Sequence, residues 1–258
     1  MAAMAVHEVA EEGFGKEAAT YERVRPSYPA DAVGWLADSL ELGPGRTAID
    51  VAAGTGKFTR LLVPFGATLV AAEPVDGMRG SFVAVVPGVP IVAAVAESLP
   101  IESGSAHAIT AAQAFHWFDA DRAFEEFGRV LRRGGRVGLI WNARDRSSDW
   151  VNEVWSIMDR VEKRAPWRDH ENWRDSAFRA MPGFGELERA EFRHRQSSTA
   201  DGVVRRVASV SHVAVLPEGE RGAVLDEVRA VLATHPDVAG REVVEIPYRV
   251  DCLVVCRV

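Results

Sequence analysis

The amino-acid sequence predicts an α/β fold, a mostly parallel β-sheet with helices on both faces. Three observations predict it. Short apolar runs alternate with segments whose apolar residues recur at helical spacing, the pattern of repeated βα units. One such unit, Ala48 to Leu62, is an apolar run that breaks at Gly54-Thr55-Gly56 and continues as a helical pattern. The next apolar run, Thr68–Ala72, ends in an acid, Glu73, followed by Pro74. In nucleotide-binding βαβ units an acid about 20 residues beyond the glycines sits at the tip of the second strand, where it can accept from both ribose hydroxyls. Glycine in such a turn opens backbone angles closed to other residues and lets a ligand lie against the main chain. A turn needing glycine for geometry alone would read alike, so Glu73 is what turns the reading toward a ligand site.

Taken in order, residues 1 to about 12 are small and acidic without strong pattern and read as a loose end. Tyr21 to Pro29 carries two prolines and two tyrosines and reads as an ordered arm within residues 1–30. Val33, Trp35, Leu36 and Leu40 mark an amphipathic helix that begins after Pro29 and closes at Gly43-Pro44-Gly45. The glycine strand follows. After Glu73, Val75 to Val86 is helical and is stopped by Pro87-Gly88, and Pro90 to Val95 is a third strand. Ala106 to Ala112 is a fourth strand, running into Gln113-Ala114-Phe115-His116-Trp117-Phe118. Asp119 can cap the next helix, which buries Ala123, Phe124, Phe127, Val130 and Leu131 and ends at Gly134-Gly135. Val137–Trp141 is the fifth strand.

The rhythm then changes. No strand is evident from Asp149 to about Met181, and a helical cap inserted at about 147–182 is expected, with Trp155, Trp167 and Trp173 in or beside it. Phe184–Arg195 reads as a strand, Asp201–Val210 and Pro217–Ala233 as helices, and Arg241–Val258 as a final strand. No repeat or interdomain linker breaks the chain, so residues 1–258 are expected to form a single domain.

The formal net charge of −7 gives no general attraction for nucleic acid or an anionic membrane. Of the local basic clusters, Arg129, Arg132, Arg133 and Arg136 lie at a helix end, where cations complement the dipole. The other is Arg189, Arg193 and Arg195. Cys252 and Cys256 lie four apart in a strand pattern, about 13 Å on one face, too far for a disulfide. No metal-ligand set accompanies them. There is no signal-peptide pattern and no apolar run of membrane length, so a cytoplasmic setting is expected.

Both dehydrogenases and methyltransferases use the glycine turn with a distal acid. Dehydrogenases favour G-x-G-x-x-G, and here Thr59 stands at the third glycine's place; Asp50 inside the first strand also points to the methyltransferase type. The chain resembles class I S-adenosylmethionine-dependent methyltransferases, and among them small-molecule enzymes similar to the trans-aconitate methyltransferase-like branch. The residues that carry the resemblance are Tyr21–Pro29, Asp50–Gly56, Glu73-Pro74 with Met78, Ala96–Pro100, Gln113–Phe118 and Leu131–Gly135, in that order along nearly the whole chain.

The resemblance implies a Rossmann-like seven-stranded sheet, mostly parallel, with an antiparallel last hairpin. It implies that Glu73 binds the ribose of S-adenosylmethionine, with Asp50 and Pro74 beside the turn and the acid, and that the Ala52-Ala53-Gly54 and Gly56 backbone faces the methionine part. It places Met78, Ala96 and Glu97 at the adenosine end, Gln113 near the sulfonium, and Tyr21 and Arg25 over the carboxylate. Three departures stand out: Ala52 replaces the first glycine, Val95 replaces a common acid, and His107 replaces a common Asp. Phe115, His116, Trp117 and Trp141 are the expected acceptor pocket. His116 is the motif residue that could act as a base, although its aromatic neighbours also make it a wall. The expected reaction is methyl transfer to a small-molecule oxygen, carboxylate or hydroxyl, by a monomer or homodimer. A non-catalytic cofactor-binding protein on the same fold and an NAD-dependent dehydrogenase are the alternatives.

Overall fold

Successive residues of a strand face opposite sides of a sheet, so strands apolar at every position belong in a sheet covered on both faces. A computed structural model of the chain, which describes residues 25–162 and 182–258, has this arrangement. Its strands are β1 (Thr47–Val51), β2 (Thr68–Ala72), β3 (Ile91–Val92), β4 (Ala106–Ala112), β5 (Leu131–Arg144), β6 (Phe184–Ser198) and β7 (Val244–Arg257). They form one seven-stranded sheet in the order β3-β2-β1-β4-β5-β7-β6. Neighbours from β3 to β5 pair in parallel, and β7 runs antiparallel to both β5 and β6. This is the seven-stranded, mostly parallel sheet with an antiparallel final hairpin.

Helices cover both faces. On one, α1 (Ala30–Ser39) and α2 (Thr59–Leu62) pack with Ala48, Ala108, Ile140 and Val254. On the other, Ile49, Ile109, Leu139 and Leu253, each next in sequence to one of these, pack under α4 (Ala120–Val130). The close fit of α1 depends on Gly138, where a Cβ would lie 2.7 Å from Leu40 Cδ1. The α3 helix (Asp76–Val85) closes on Ala71 through Phe82, with Val86 just beyond its end. Asp119 caps α4 by accepting from the Arg122 N–H at 3.3 Å.

Several strands differ in extent from the sequence expectation: β6 runs on to Ser198 rather than Arg195, and β7 starts at Val244 rather than Arg241. The third strand is Ile91–Val92 rather than Pro90–Val95, because β2 ends at Ala72 and leaves residues 93–95 no ladder to join. The fifth strand runs on past Trp141 to Arg144, since β7 pairs with Asn142, Ala143 and Arg144. Glycines 134 and 135 do not end a helix: α4 stops at Val130, and Leu131 is already extended.

The cap also differs. Helix α5 (Asp149–Glu162) comes from the expected stretch, but it packs with α6 (Ala200–Ala208), α7 (Ser211–Ala214) and α8 (Glu218–Thr234) from the β6–β7 connection. Trp155, Val154 and Met158 meet Val203, Val207, Val228 and the start of β7 at Ile246 and Tyr248 in one apolar cluster. Among the described residues, Asp149–Glu162 therefore supplies one part of the cap, and the β6–β7 connection supplies the rest. Trp167 and Trp173 lie outside the described residues. The outer strand β6 alternates exposed Glu186, Glu188 and Glu191 with Arg189, Arg193 and Arg195, a charged edge that resists pairing with other chains. Both cysteines are free, and no helix among the described residues is long and apolar enough to cross a membrane.

Candidate active site

The chain passes through β2 and β3 before it returns on the other side of β1 as β4. Such a reversal opens a crevice at the carboxyl ends of β1 and β4, where open α/β sheets bind ligands. The glycine turn leaves β1 at that end. Ala52, Gly54 and Gly56 all have left-handed backbones, with φ of +53°, +57° and +85°. For Ala52 this costs roughly 1–2 kcal/mol, which explains why the related pattern has glycine there. Gln113, at the end of β4, holds φ of +57° on the opposite wall. Non-glycine residues persist in this region where their surroundings fix them, and they cluster at ligand sites. Gly56 is required by packing too: a Cβ would meet Val86 Cγ2 at 2.5 Å and Phe82 Cδ2 at 2.9 Å.

Two buried acids hold the turn. Glu73 accepts the Gly54 N–H on Oε2 and the Val75 N–H on Oε1, both at 2.9 Å. Burial pushes its pKa up, and the two N–H groups and the Arg79 charge draw it back. Arg79 in turn donates to the carbonyls of Glu73 at 2.7 Å and Pro74 at 2.6 Å, which fixes the strand tip. Asp50 is 1% exposed and accepts from the hydroxyls of Thr59 at 2.5 Å and Thr110 at 2.8 Å. Burial pushes its carboxyl up to about 6 against the pull of both hydroxyls. Thr59, at the place a dehydrogenase gives to its third glycine, thus ties β1 to α2.

Between the turn and the end of β4 lies an open cleft. Asp50, Ala52, Ala53 and Gly54 line it on one side, and Gln113 and Asn142 line it too. Arg25, Lys57 and Arg206 bring three cations to it. Arg25 donates to the Ser209 carbonyl at 2.9 Å, reaching the end of α6 in the cap, and Lys57 donates to the Arg25 carbonyl at 2.6 Å. Asn142 Nδ2 donates to the Ser27 carbonyl at 3.1 Å, and Gln113 Nε2 to the Asn142 carbonyl at 3.3 Å. Of the residues expected around the cofactor, Arg25, Asp50, Ala52, Ala53, Gly54 and Gln113 meet at this cleft, and Glu73 joins them through the Gly54 amide. Tyr21 lies outside the described residues.

The other expected residues sit apart from the cleft's lining. Met78 is buried in the first turn of α3, and Ala96 is buried in the core under α4. Glu97 accepts the Asp119 N–H at 2.8 Å and so joins its turn to the start of α4. Phe115–Trp117 form a 3₁₀ turn just after Gln113. Phe115 is in the core, while His116 and Trp117 are half-buried with ring centroids 5.0 Å apart. Trp141 corrects the sequence expectation of a pocket wall. It is 3% exposed and packs in the core under α4, on the strand face it shares with Val137 and Leu139. Trp155 is likewise core, 1% exposed, with the Arg144 guanidinium 5.0 Å over its ring.

Sequence reasoning missed Lys57, Asn142 and Arg206 at the cleft, and the Thr59 and Thr110 hydroxyls on Asp50. Lys57 follows directly on the glycines. Arg206 left a signal as well: it lies three residues after Val203 and next to Val207, a cation on the apolar side of α6. Asn142 left none, since it reads as the polar end of a strand.

The chain is similar to known proteins. A family model of the methyltransferase domain matches residues 49–139. An uncharacterized methyltransferase of Mycobacterium tuberculosis is 37% identical over 240 residues, covering 93% of each chain. The solved structure of a candidate type II methyltransferase from Anaeromyxobacter dehalogenans is similar with a TM-score of 0.64 and 27% identity, over 90% of this chain and 96% of that one. A phosphoethanolamine N-methyltransferase of Haemonchus contortus, solved with S-adenosylhomocysteine and phosphomonomethylethanolamine, shares the fold at a TM-score of 0.59 and 14% identity, covering 99% of this chain and 60% of that one. With a relative of this identity spanning nearly all of both chains, and the glycine turn and Glu73 inside the matched domain, the chain belongs to the class I S-adenosylmethionine-dependent methyltransferases.

Proposed function

We propose that the protein transfers a methyl group from S-adenosylmethionine to an oxygen, carboxylate or hydroxyl, of a small-molecule acceptor. The observation that carries the reading is the 2.9 Å bond from the Gly54 N–H to the Glu73 carboxylate, which makes the acid and the glycine turn one rigid unit. A carboxylate offers about four lone-pair directions, and the backbone uses two of them here, leaving capacity for the two hydroxyls of a ribose. The small side chains of Ala52–Gly54 and the left-handed backbones of Ala52 and Gly54 suit close approach of the methionine part, and the Arg25 guanidinium suits its carboxylate. Met78, Ala96 and Glu97 would hold the adenosine end.

Bound there, S-adenosylmethionine supplies an electrophilic methyl on a positively charged sulfur. Charge disappears as the methyl moves, so the residues contribute alignment and exclusion of water more than proton transfer. Gln113, held by its bond to the Asn142 carbonyl, borders the sulfonium end of the cleft. His116, which packs on Trp117 in the turn that follows Gln113, would border the acceptor rather than the cleft's present lining. A carboxylate acceptor has no proton to lose, so His116→Gln is expected to change the acceptor's KM more than kcat, with no limb lost from the pH–rate profile. The net charge of −7 supports a small acceptor over nucleic acid. Calorimetry on the full chain tests the reading: S-adenosylmethionine and S-adenosylhomocysteine should bind and NAD should not. Tight NAD binding with neither sulfur compound bound would overturn it.

A further inference from the structure

Burying a guanidinium away from any acceptor is costly, and arginine cannot escape by losing its proton. Arg206 is in this position. It is 7% exposed, and its Nε and Nη1 are buried without a hydrogen-bond partner; among the described residues no carboxylate pairs with it. It borders the cleft that the glycine turn lines. Asn142 Oδ1, on the same cleft, is also buried without a donor among the described residues, while its Nδ2 is committed to the Ser27 carbonyl. The cleft therefore presents an unused cation and an unused acceptor together.

Charge decides which part of the reaction mixture answers them. Arg25, Lys57 and Arg206 bring three positive charges to the cleft, and Asp50 beneath them is engaged by two hydroxyls. S-adenosylmethionine carries one carboxylate against an ammonium and a sulfonium, so it adds positive charge. Arg25 and Lys57 have backbone carbonyls to donate to; Arg206 has none among the described residues. Arg206 also belongs to the cap, on α6, and not to the glycine turn or Glu73. We propose that Arg206 anchors an oxyanion of the methyl acceptor, a carboxylate or a phosphate, with Asn142 Oδ1 receiving a neighbouring hydroxyl or N–H of the same molecule. This assignment rests on the methyl-transfer reading and names the class of acceptor within it. Guanidinium geometry matches either oxyanion through paired N–H bonds.

The experiment uses the full chain, Arg206→Gln and Arg206→Lys, with circular dichroism to confirm that the variants fold. Calorimetry first measures S-adenosylhomocysteine and its decarboxylated counterpart. It then titrates the S-adenosylhomocysteine complex with a panel of small acids and phosphates (succinate, benzoate, glycerol 2-phosphate) and with neutral amides or esters of the acids. The wild type should bind acids or phosphates and bind neutral counterparts roughly tenfold or more weakly. Arg206→Gln should lose that binding by a similar factor, with Arg206→Lys intermediate, while both keep S-adenosylhomocysteine affinity within about threefold. A tenfold loss for S-adenosylhomocysteine, but not for its decarboxylated counterpart, would assign Arg206 to the cofactor's own carboxylate and overturn the proposal. So would equal binding of neutral counterparts, or no panel oxyanion binding to the wild-type complex. If the wild type binds no S-adenosylhomocysteine at all, the methyl-transfer reading itself fails. A second readout needs no ligand. Arg206→Met, which removes the buried charge, should raise the melting temperature of the free protein, and a lower one would mark Arg206 as a structural residue and overturn the proposal.

Discussion

The two acids buried under the glycine turn and the polar groups buried in and around the helical cap are treated in opposite ways. Around the turn all four carboxylate oxygens of Asp50 and Glu73 accept a bond from a hydroxyl or backbone N–H at 2.5–2.9 Å. In and around the cap, Trp155 Nε1, the Tyr248 hydroxyl and two nitrogens of Arg206 are buried with no partner among the described residues. Satisfied buried networks hold one geometry, whereas unsatisfied buried groups are costly and call for an explanation. The difference teaches that hydrogen bonds fix the geometry of the turn, while the cap rests on apolar packing and leaves some buried polar groups without a partner among the described residues.

The largest expected effect probes the packing of the cap. Trp155→Ala should lower unfolding stability by about 3–5 kcal/mol, the usual range for a fully buried aromatic. If the two halves are separable, S-adenosylhomocysteine affinity should change by less than about threefold at temperatures where the variant is folded. Urea melts and calorimetry measure the two quantities, and a collapse of affinity would break the comparison.

Next comes the charge buried under the turn. Asp50 is raised from 3.8 to about 6 in the fold, so its protonated form contributes stability that is complete below pH 3.8 and lost as the pH rises through 6. Two units correspond to about 3 kcal/mol. Between pH 4 and pH 7 wild-type stability should therefore fall by roughly that amount relative to Asp50→Asn, followed by urea melts across the range. A flat difference would mean that the turn half is not holding a desolvated charge.

A smaller effect addresses the ligand. Glu73→Ala should weaken S-adenosylhomocysteine by about 1.5–3 kcal/mol, the value of hydrogen bonds to a charged partner, and the fold should survive because the acid is at a strand tip. An unchanged dissociation constant would reduce Glu73 to a brace for Gly54 and Val75. The smallest effect returns to the cap. The Thr199 hydroxyl caps α6 by accepting the Gly202 N–H at 3.0 Å, so Thr199→Ala should cost about 1 kcal/mol in thermal or urea unfolding. Acceptor binding should weaken with it, and cofactor binding should not, if α6 serves only the acceptor.

How much of this was legible in the sequence follows from the range of the forces involved. Strand, turn and helix around Gly54, the acid at the tip of β2 and the Asp119 cap are local, each decided within a turn or a βα unit by backbone angles and periodicity, and they stand where the residues placed them. The long β5 was not legible, because Asn142–Arg144 are extended only by pairing with β7, more than 100 residues away. The membership of the cap, the burial of Trp141 and the presence of Arg206 at the cleft were decided by the tertiary structure alone. A hydrophobic pattern states that α5, α6 and α8 each need a partner, but several partners would satisfy it equally. Contacts such as Arg25 to Ser209, 184 residues apart, form only when the whole sheet has closed and chosen among them.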